Sequence, residues 1–231
     1  MTVFVVCHKA NPLPVKLDSS YKKLYVGKIT ANHPNDGFCE TSGRNISDRN
    51  SEYSELTGMY WIWKNFQSPV KGLIHYRRYF LKRKQYLGLT KVISGKGINR
   101  LLRSYDCIVP EKLIFNYSVK KHYEKYHLLS DWKLLGEVIE ARCPQYGHDF
   151  IDIGEQYWMY PYNMIIAKQK VFDAYCEWLF PILDDLYGII DVSDRDAYQK
   201  RAIGFLSERL MALWLIHNNV SLVERPVMQI E

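Results

Sequence analysis

The 231-residue sequence lacks several patterns from which a protein's chemistry is usually inferred. It contains no Walker loop, no GxSxG turn and no GxGxxG fingerprint, which excludes the sequence signatures of P-loop NTPases, α/β-hydrolases and dinucleotide-binding domains. Its five cysteines are scattered and form no CxxC pair, which predicts free thiols in a reducing cytosol. No run of about 18 apolar residues exists and no apolar leader opens the chain, so we expect neither a transmembrane helix nor a signal peptide.

Acidic residues are absent from residues 66–105, which carry ten Lys or Arg side chains. Residues 1–130 hold 22 basic and 9 acidic residues, a net charge of +13, whereas residues 131–231 hold 9 and 16, a net charge of −7. The basic stretch predicts contact with phosphates of a nucleotide, a nucleic acid or a lipid head group. The aromatic content of 14% fits a sugar-binding or membrane-interface surface, and it fits a large core equally well.

Apolar runs alternate with helical patterns along the chain. The predicted strands are residues 2–7, 24–29, 70–76, 107–109, 163–167 and 220–227. The predicted helices are residues 51–66, 96–104, 119–141, 171–187 and 193–217. Ser51 or Ser54 caps the first of them, and a capping box at Ser193 opens the last. Residues 32–50 are interpreted as a long loop. This order predicts a single α/β domain over residues 1–231, with a mostly parallel central sheet flanked by helices.

Basic side chains follow two of the predicted strands, at residues 7–9 and 75–78. Ligands of α/β sheets bind at the carboxyl ends of the strands, so Arg77 and Arg78 are candidates for bidentate contacts to a diphosphate. The alternative is a solvated basic edge, or an ion pair with an acidic residue of the second half. Asn45 and Ser47 lie in the long loop, where they either bond a base or ribose or stabilise a turn.

Glu208 lies on a predicted helix that is apolar nearly all round. Such a carboxylate is either ion-paired with Arg201 or Arg209, or a general base with a raised pKa. Asp131 lies four residues after His127 on a predicted helix, so the two can touch, as a proton-transfer pair or a structural one. No cluster of Cys and His supports a zinc site.

Several sequence blocks occur in a fixed order along the chain. They are Cys7-His8-Lys9, Asn45-Ile46-Ser47, Tyr60-Trp61-Ile62-Trp63, His75-Tyr76-Arg77-Arg78-Tyr79-Phe80, Asn163-Met164, Tyr175-Cys176-Glu177-Trp178 and Gly204-Phe205-Leu206-Ser207-Glu208-Arg209. This series resembles the bacterial capsular and O-antigen polysaccharide glycosyltransferases long catalogued as a domain of unknown function. Some members of that group are galactofuranosyltransferases that use UDP-galactofuranose.

The resemblance implies a GT-A-like fold, with a nucleotide-sugar-binding half at about residues 1–110 and an acceptor-binding half at about residues 111–231. The implied donor-binding residues are His8, Lys9, Asn45, Ser47, His75, Tyr76, Arg77 and Arg78. If the reaction inverts the anomeric centre, Glu208 is the first choice for the catalytic base and Asp131 the second. Trp158, Tyr160 and Asn163 are the implied acceptor contacts. Arg44 stands where relatives often have Asp, so no donor contact is assigned to it.

Many GT-A enzymes bind a metal through a DxD motif after a central strand, and this chain has His-Tyr-Arg-Arg at that place. The Asp194-Arg195-Asp196 triplet comes too late in the chain, so we expect no metal ligands and no required cofactor, with Mn²⁺ or Mg²⁺ dependence left open. The implied partners are a nucleotide sugar, a glycan or lipid-linked glycan acceptor and the inner face of the cytoplasmic membrane, with no nucleic acid. The alternative is a non-catalytic nucleotide-sugar-binding or nucleic-acid-binding module that uses residues 66–105.

Overall fold

The computed structural model of the chain describes residues 1–83 and 91–230. Its strands are β1 (Thr2–Cys7), β2 (Tyr21–Tyr25), β3 (Gly37–Cys39), β4 (Val70–His75), β5 (Arg78–Phe80), β6 (Cys107–Pro110), β7 (Leu113–Ile114), β8 (Trp158–Met159), β9 (Ile165–Lys168), β10 (Leu222–Arg225) and β11 (Val227–Gln229). Its helices are α1 (Asn50–Tyr53), α2 (Leu56–Asn65), α3 (Gly95–Leu101), α4 (Val119–Tyr126), α5 (Leu129–Arg142), α6 (Gly147–Glu155), α7 (Gln169–Ile189) and α8 (Ala202–His217).

The central sheet has the strand order β10-β6-β9-β4-β1-β2-β3. Strand β1 pairs in parallel with β2 and with β4, and β10 pairs in parallel with β6. Strand β9 is antiparallel to both of its neighbours, β4 and β6, while β5 and β11 form an antiparallel extension beside β4. The expected α/β fold with a mostly parallel central sheet flanked by helices is therefore confirmed, with β9 as the antiparallel member.

Strand β1 is buried because its apolar side chains alternate between two cores. Phe4 and Val6 pack into the larger hydrophobic cluster, and Val3 and Val5 pack into the smaller one on the opposite face of the sheet. Each such side chain stabilises the fold by about 1.5–3 kcal/mol on burial. A strand covered on both faces holds its carboxyl end in a fixed position, which is where a ligand site can form.

Two predicted helices are each divided in the structure. The helix expected over residues 51–66 is divided at Ser54, whose φ of +53° lies in the left-handed region. Asn50 stabilises this turn by donating from Nδ2 to the Ser54 carbonyl oxygen at 2.9 Å. The helix expected over residues 119–141 is divided between α4 and α5, where His127 and Leu128 take extended backbone angles.

The expected capping box at Ser193 is wrong. Helix α8 begins at Ala202, after a short 3-10 turn over Gln199–Arg201. The backbone amide of Ser193 donates to Asp191 Oδ1 at 2.9 Å, which forms a local turn in place of a helix start.

Two further boundaries differ from the sequence prediction because of local pairing and backbone angles. Strand β2 ends at Tyr25, because Gly27 has a φ of +69° and begins a 3-10 turn. The stretch expected to be a loop contains β3, which pairs in parallel with β2. In the described part of the chain, every helix is too short or too polar to cross a bilayer.

Candidate active site

A cavity of about 790 Å³ lies at the carboxyl ends of β1, β2 and β4. Its wall includes five cationic side chains and two carboxylates, a formal excess of three positive charges. These are Arg77, Arg78, Lys200, Arg201 and Arg209 against Glu55 and Glu208. Ordinary surface charge mixes both signs, so this excess makes the cavity attractive to an anionic ligand.

Residues 75–78 form a tight turn between β4 and β5. His75 is paired with Arg78, so the chain reverses direction and both arginines reach the cavity wall. The Arg78 guanidinium lies 4.4 Å from the centre of the Tyr162 ring, and its Nη1 is 3.0 Å from His75 Nδ1. The exposed Arg77 lies 4.9 Å from the centre of the Tyr76 ring. Among residues 1–83 and 91–230, neither arginine has a carboxylate within salt-bridge distance, so both can pair with an anionic ligand.

His8 follows β1 and lies beside the same turn. Its Nε2 is 3.3 Å from the Tyr76 hydroxyl, and the two rings meet edge to face. Burial lowers the pKa of His8, and the neighbouring cations Lys9, Arg77 and Arg201 lower it further. The imidazole is therefore neutral near pH 7, so it contributes hydrogen bonds rather than charge at this end of the cavity.

Glu208 lies on the first half of α8 and faces the cavity, with its side chain 22% exposed. Its Oε1 accepts a hydrogen bond from the Tyr162 amide at 3.2 Å, and its Oε2 accepts one from Arg209 Nη1 at 3.2 Å. Burial raises the pKa of Glu208 and the nearby Glu55 adds to the rise, whereas Arg209 and Arg78 oppose it. Of the two ion-pair partners that the sequence left open, the structure has Arg209. A partly exposed carboxylate with a raised pKa is suited to accept a proton.

Glu55 is a cavity residue that the sequence analysis did not assign. Its Oε1 accepts a hydrogen bond from Asn163 Nδ2 at 2.8 Å and lies 4.0 Å from His75 Nε2. Its Oε2 lies 4.0 Å from Arg201, whose Nε donates to Ser54 Oγ at 2.8 Å. Glu55 thus joins the strand end to the start of α8. An acidic residue directly before a helix is an ordinary sequence pattern, so only the fold shows that it faces the cavity.

Asn163 is buried rather than exposed to the cavity. Its φ is +50° and that of Tyr162 is +78°, so both residues adopt the left-handed conformation before β9. Its Nδ2 also donates to the Gly204 carbonyl oxygen at 3.2 Å. Asn163 therefore fixes Glu55 against α8, and the strained turn brings the Tyr162 amide to Glu208.

Three residues predicted to bind the donor lie outside the cavity wall. They are Lys9, Asn45 and Ser47. Lys9 is exposed in the chain directly after His8, and Asn45 and Ser47 form a hydrogen bond with each other. Asn45 Oδ1 accepts a hydrogen bond from Ser47 Oγ at 2.8 Å, and Asn45 Nδ2 donates to the carbonyl oxygens of Thr41 and Gly43. These contacts are those of a turn, so the structure favours the interpretation that Asn45 and Ser47 stabilise a turn over the one in which they bond a base or ribose.

Three other predicted residues are also placed away from the cavity wall. Asp131 is buried and accepts two hydrogen bonds from Arg195, at 2.6 and 2.8 Å, which favours the structural interpretation of this carboxylate. Tyr160 is buried and donates to Glu224 Oε1 at 3.2 Å. Trp158 lies in β8, with Lys112 Nζ 4.0 Å from its ring centre. The structure therefore groups Glu208 with residues 75–78 and His8, but leaves these three elsewhere.

The cavity wall offers two carboxylates as possible ligands of a divalent cation, those of Glu55 and Glu208. Mg²⁺ and Mn²⁺ prefer several oxygen ligands, whereas Glu55 is bonded to Asn163 and Glu208 to Arg209 within a cationic surround. Within the described residues, one group has metal-ligand geometry, namely His148, Asp149 and Asp152 on α6. It is outside the cavity wall, and Asp149 there bonds His217 at 2.6 Å.

The fold and the cavity define an α/β protein with an anion-attracting site at the carboxyl ends of its parallel strands. The chain belongs to the family described as Domain of unknown function (DUF4422), whose model matches residues 2–219.

The chain is also similar to the solved apo structure of the bifunctional glycosyltransferase WbbM, with 25% sequence identity and a TM-score of 0.89. That match covers 100% of this chain and 45% of WbbM, so the chain spans less than half the length of that protein. No curated protein matches the sequence.

Proposed function

We propose that the chain is a glycosyltransferase that moves a sugar from a UDP-sugar to a glycan acceptor. The candidate donor is UDP-galactofuranose, and the candidate pathway is synthesis of a bacterial capsule, O-antigen or exopolysaccharide on a free or lipid-linked glycan. The observation that carries the proposal is one cavity that combines a carboxylate of raised pKa with two arginines at a strand end, neither of which has a carboxylate partner among the described residues. The similarity to WbbM over the whole chain supports the same class of reaction.

The donor diphosphate would bind to the turn at residues 75–78. Arg77 and Arg78 present guanidinium groups that match phosphate oxygens in pairs, and His8 and Tyr76 supply neutral hydrogen-bonding groups beside them. Because both carboxylates of the wall have hydrogen-bond partners and five cationic side chains outnumber them, we infer that cationic side chains stabilise the leaving UDP. Arg201 and Lys200 extend this positive wall from the other side of the cavity.

Glu208 would act as the general base of an inverting transfer. Its carboxylate accepts the proton of an acceptor hydroxyl while that oxygen bonds the anomeric carbon, and the bond from that carbon to the UDP oxygen breaks. The electron pair leaves with UDP, and the proton stays on Glu208 until solvent removes it. A positioned base of this kind contributes about 10²- to 10⁴-fold to the rate.

The Glu208→Gln variant tests this assignment. Gln keeps an oxygen that accepts from the Tyr162 amide, so the fold and UDP binding are expected to stay intact while transfer falls by at least about 100-fold. UDP release from a panel of UDP-sugars measures transfer, and a UDP-induced rise in Tm measures donor binding. Glu177→Gln, on the exposed face of α7, is the matched control and should keep full activity.

Three outcomes would contradict the proposal. Full transfer by Glu208→Gln would remove Glu208 as the base. A Tm that rises with duplex or single-stranded nucleic acid, and not with UDP or any UDP-sugar, would favour the nucleic-acid-binding alternative. Donor binding without hydrolysis or transfer in the unaltered protein would favour a non-catalytic nucleotide-sugar-binding module.

A further inference from the structure

One end of the cavity is aromatic rather than cationic. It is formed by His122 and Tyr126 on α4, His127 just after it, Tyr198 and Phe205. The His127 ring stacks on Phe205 with 4.1 Å between centres, and Tyr198 lies 4.9 Å from Phe205. The His122 and Tyr126 rings are 5.0 Å apart. These contacts form two aromatic groups, His122 with Tyr126 and His127 with Tyr198 and Phe205, and both groups belong to the wall of the same cavity.

The rings of this surface are neutral and partly open to solvent, and Arg201 and Lys125 each lie 5.3 Å from a ring centre, over Phe205 and Tyr126. Burial and the Arg209 charge lower the pKa of His122 and of His127 to about 4, so both rings are neutral at physiological pH. Tyr126 is 46% exposed and Tyr198 is 52% exposed, although both rings contact aromatic neighbours. Among the described residues, His127 Nδ1 is buried without a hydrogen-bond partner. Exposed rings with polar tips, packed side by side, are typical of a binding surface rather than of a core.

A chain of contacts connects the aromatic end to the cationic end through Glu208. His122 Nδ1 is 3.1 Å from Arg209 Nη2, and Arg209 Nη1 is 3.2 Å from Glu208. Glu208 in turn bonds the Tyr162 amide, and the Tyr162 ring lies under Arg78. Glu208 is therefore situated between an end that suits a diphosphate and an end that suits a neutral, ring-shaped ligand.

We propose that His122, Tyr126, His127, Tyr198 and Phe205 form the acceptor subsite, which binds a sugar ring of the glycan by stacking. This inference rests on the proposed glycosyltransferase function and deepens it. The apolar C–H face of a sugar ring packs on aromatic rings, and its hydroxyls match tyrosine hydroxyls and neutral imidazoles. Neutral rings with polar tips fit an uncharged glycan, and the contacts from His122 through Arg209 to Glu208 put the acceptor hydroxyl near the base. The subsite is separate from Trp158 and Tyr160, which lie outside the cavity.

Saturation-transfer NMR on the full chain tests the subsite. The probes are the methyl α- and β-glycosides of galactose, glucose and mannose, each titrated at saturating UDP. We expect at least one glycoside to bind. In the double variant Tyr126→Ala with Tyr198→Ala, the Kd of that glycoside should rise by about tenfold. The UDP Kd, measured by calorimetry, should stay within twofold. Tyr157→Ala is the matched control, because Tyr157 is exposed outside the cavity wall.

Three outcomes would overturn the subsite. These are no binding by any of the six glycosides, undiminished binding in the double variant, and a loss of UDP affinity in that variant, which would assign the aromatic surface to the nucleotide base. Failure of the underlying glycosyltransferase proposal looks different, because the unaltered protein would then fail to bind UDP and UDP-sugars at all. Because both tyrosines are exposed, we expect the double variant to keep its fold, and far-UV circular dichroism of each variant checks this directly.

Discussion

Replacement of Arg77 by Ala tests the diphosphate site with little risk to the fold. Arg77 is exposed and contacts the Tyr76 ring, and no carboxylate in the described residues depends on it. Its loss should therefore leave stability nearly unchanged and act on ligand binding alone. A charge-assisted hydrogen bond to phosphate is worth roughly 1.5–3 kcal/mol, which predicts a rise in the UDP Kd of about 10- to 150-fold. Calorimetric titration with UDP at fixed ionic strength measures the change.

Two companion variants sharpen this measurement. Arg77→Lys keeps the charge and loses the planar fork, so its UDP Kd should lie between those of the unaltered protein and Arg77→Ala. Arg100→Ala removes an exposed arginine on α3, outside the cavity wall, and should leave UDP binding unchanged. An unchanged UDP Kd in both Arg77→Ala and Arg78→Ala would refute the diphosphate assignment. An equal loss in Arg100→Ala would mean that net charge, and not the site, governs binding.

The other predictions concern stability. His122 and His127 have pKa values lowered to about 4 in the folded protein, against an ordinary value near 6.5, so the unfolded chain binds more protons between these limits. The free energy of unfolding should fall as pH decreases from about 6.5 to about 4, and urea titrations should show a shallower fall in His122→Gln and His127→Gln; an identical slope in both variants would contradict the assignment. Gly43→Ala should destabilise the protein by more than about 1 kcal/mol, since φ is +61° and the added Cβ would clash with Asn65 Oδ1. At Gly188 on α7 an added Cβ contacts no other atom, so Gly188→Ala should stabilise the protein by about 0.5–1 kcal/mol. If the urea midpoints of Gly43→Ala and Gly188→Ala shifted in the same direction, the backbone argument would be contradicted.

The sequence predicts the parts of the site that lie on regular elements. Strand β1 is recognisable as a run of apolar residues and β4 by its Gly72-Leu73-Ile74 core, and the basic residues directly after both strands fall at the expected edge of the sheet. Glu208 is recognisable because it interrupts an almost wholly apolar helix. For these elements the local sequence pattern agrees with the position in the fold, so the pattern alone predicts that their residues lie at the site.

The rest of the site depends on backbone turns that leave no mark in the sequence. Ser54, Tyr162 and Asn163 take positive φ values, and none of them is a glycine. These turns bring Glu55 and the Tyr162 amide into the cavity, and tertiary packing stabilises them. Aromatic residues pose the same difficulty, because sequence alone does not separate the core residue Tyr160 from the cavity residue Tyr198. Distance along the chain also conceals the grouping, since α4 and α8 meet only in the fold.

Charge in this protein is organised by the cavity more than by the two halves of the chain. The second half has a net charge of −7, yet it supplies Lys200, Arg201 and Arg209 to the cavity wall. The first half is strongly basic, yet it supplies Glu55, one of the two carboxylates there. An anion entering the cavity therefore meets positive charge from both halves, while the proposed base, Glu208, comes from the half that is acidic as a whole. Because the positive excess is local and partly buried, UDP binding should weaken with salt less steeply than binding to an exposed basic surface. Binding to such a surface, formed by residues 66–105 alone, would decline steeply with salt and would not depend on Arg201.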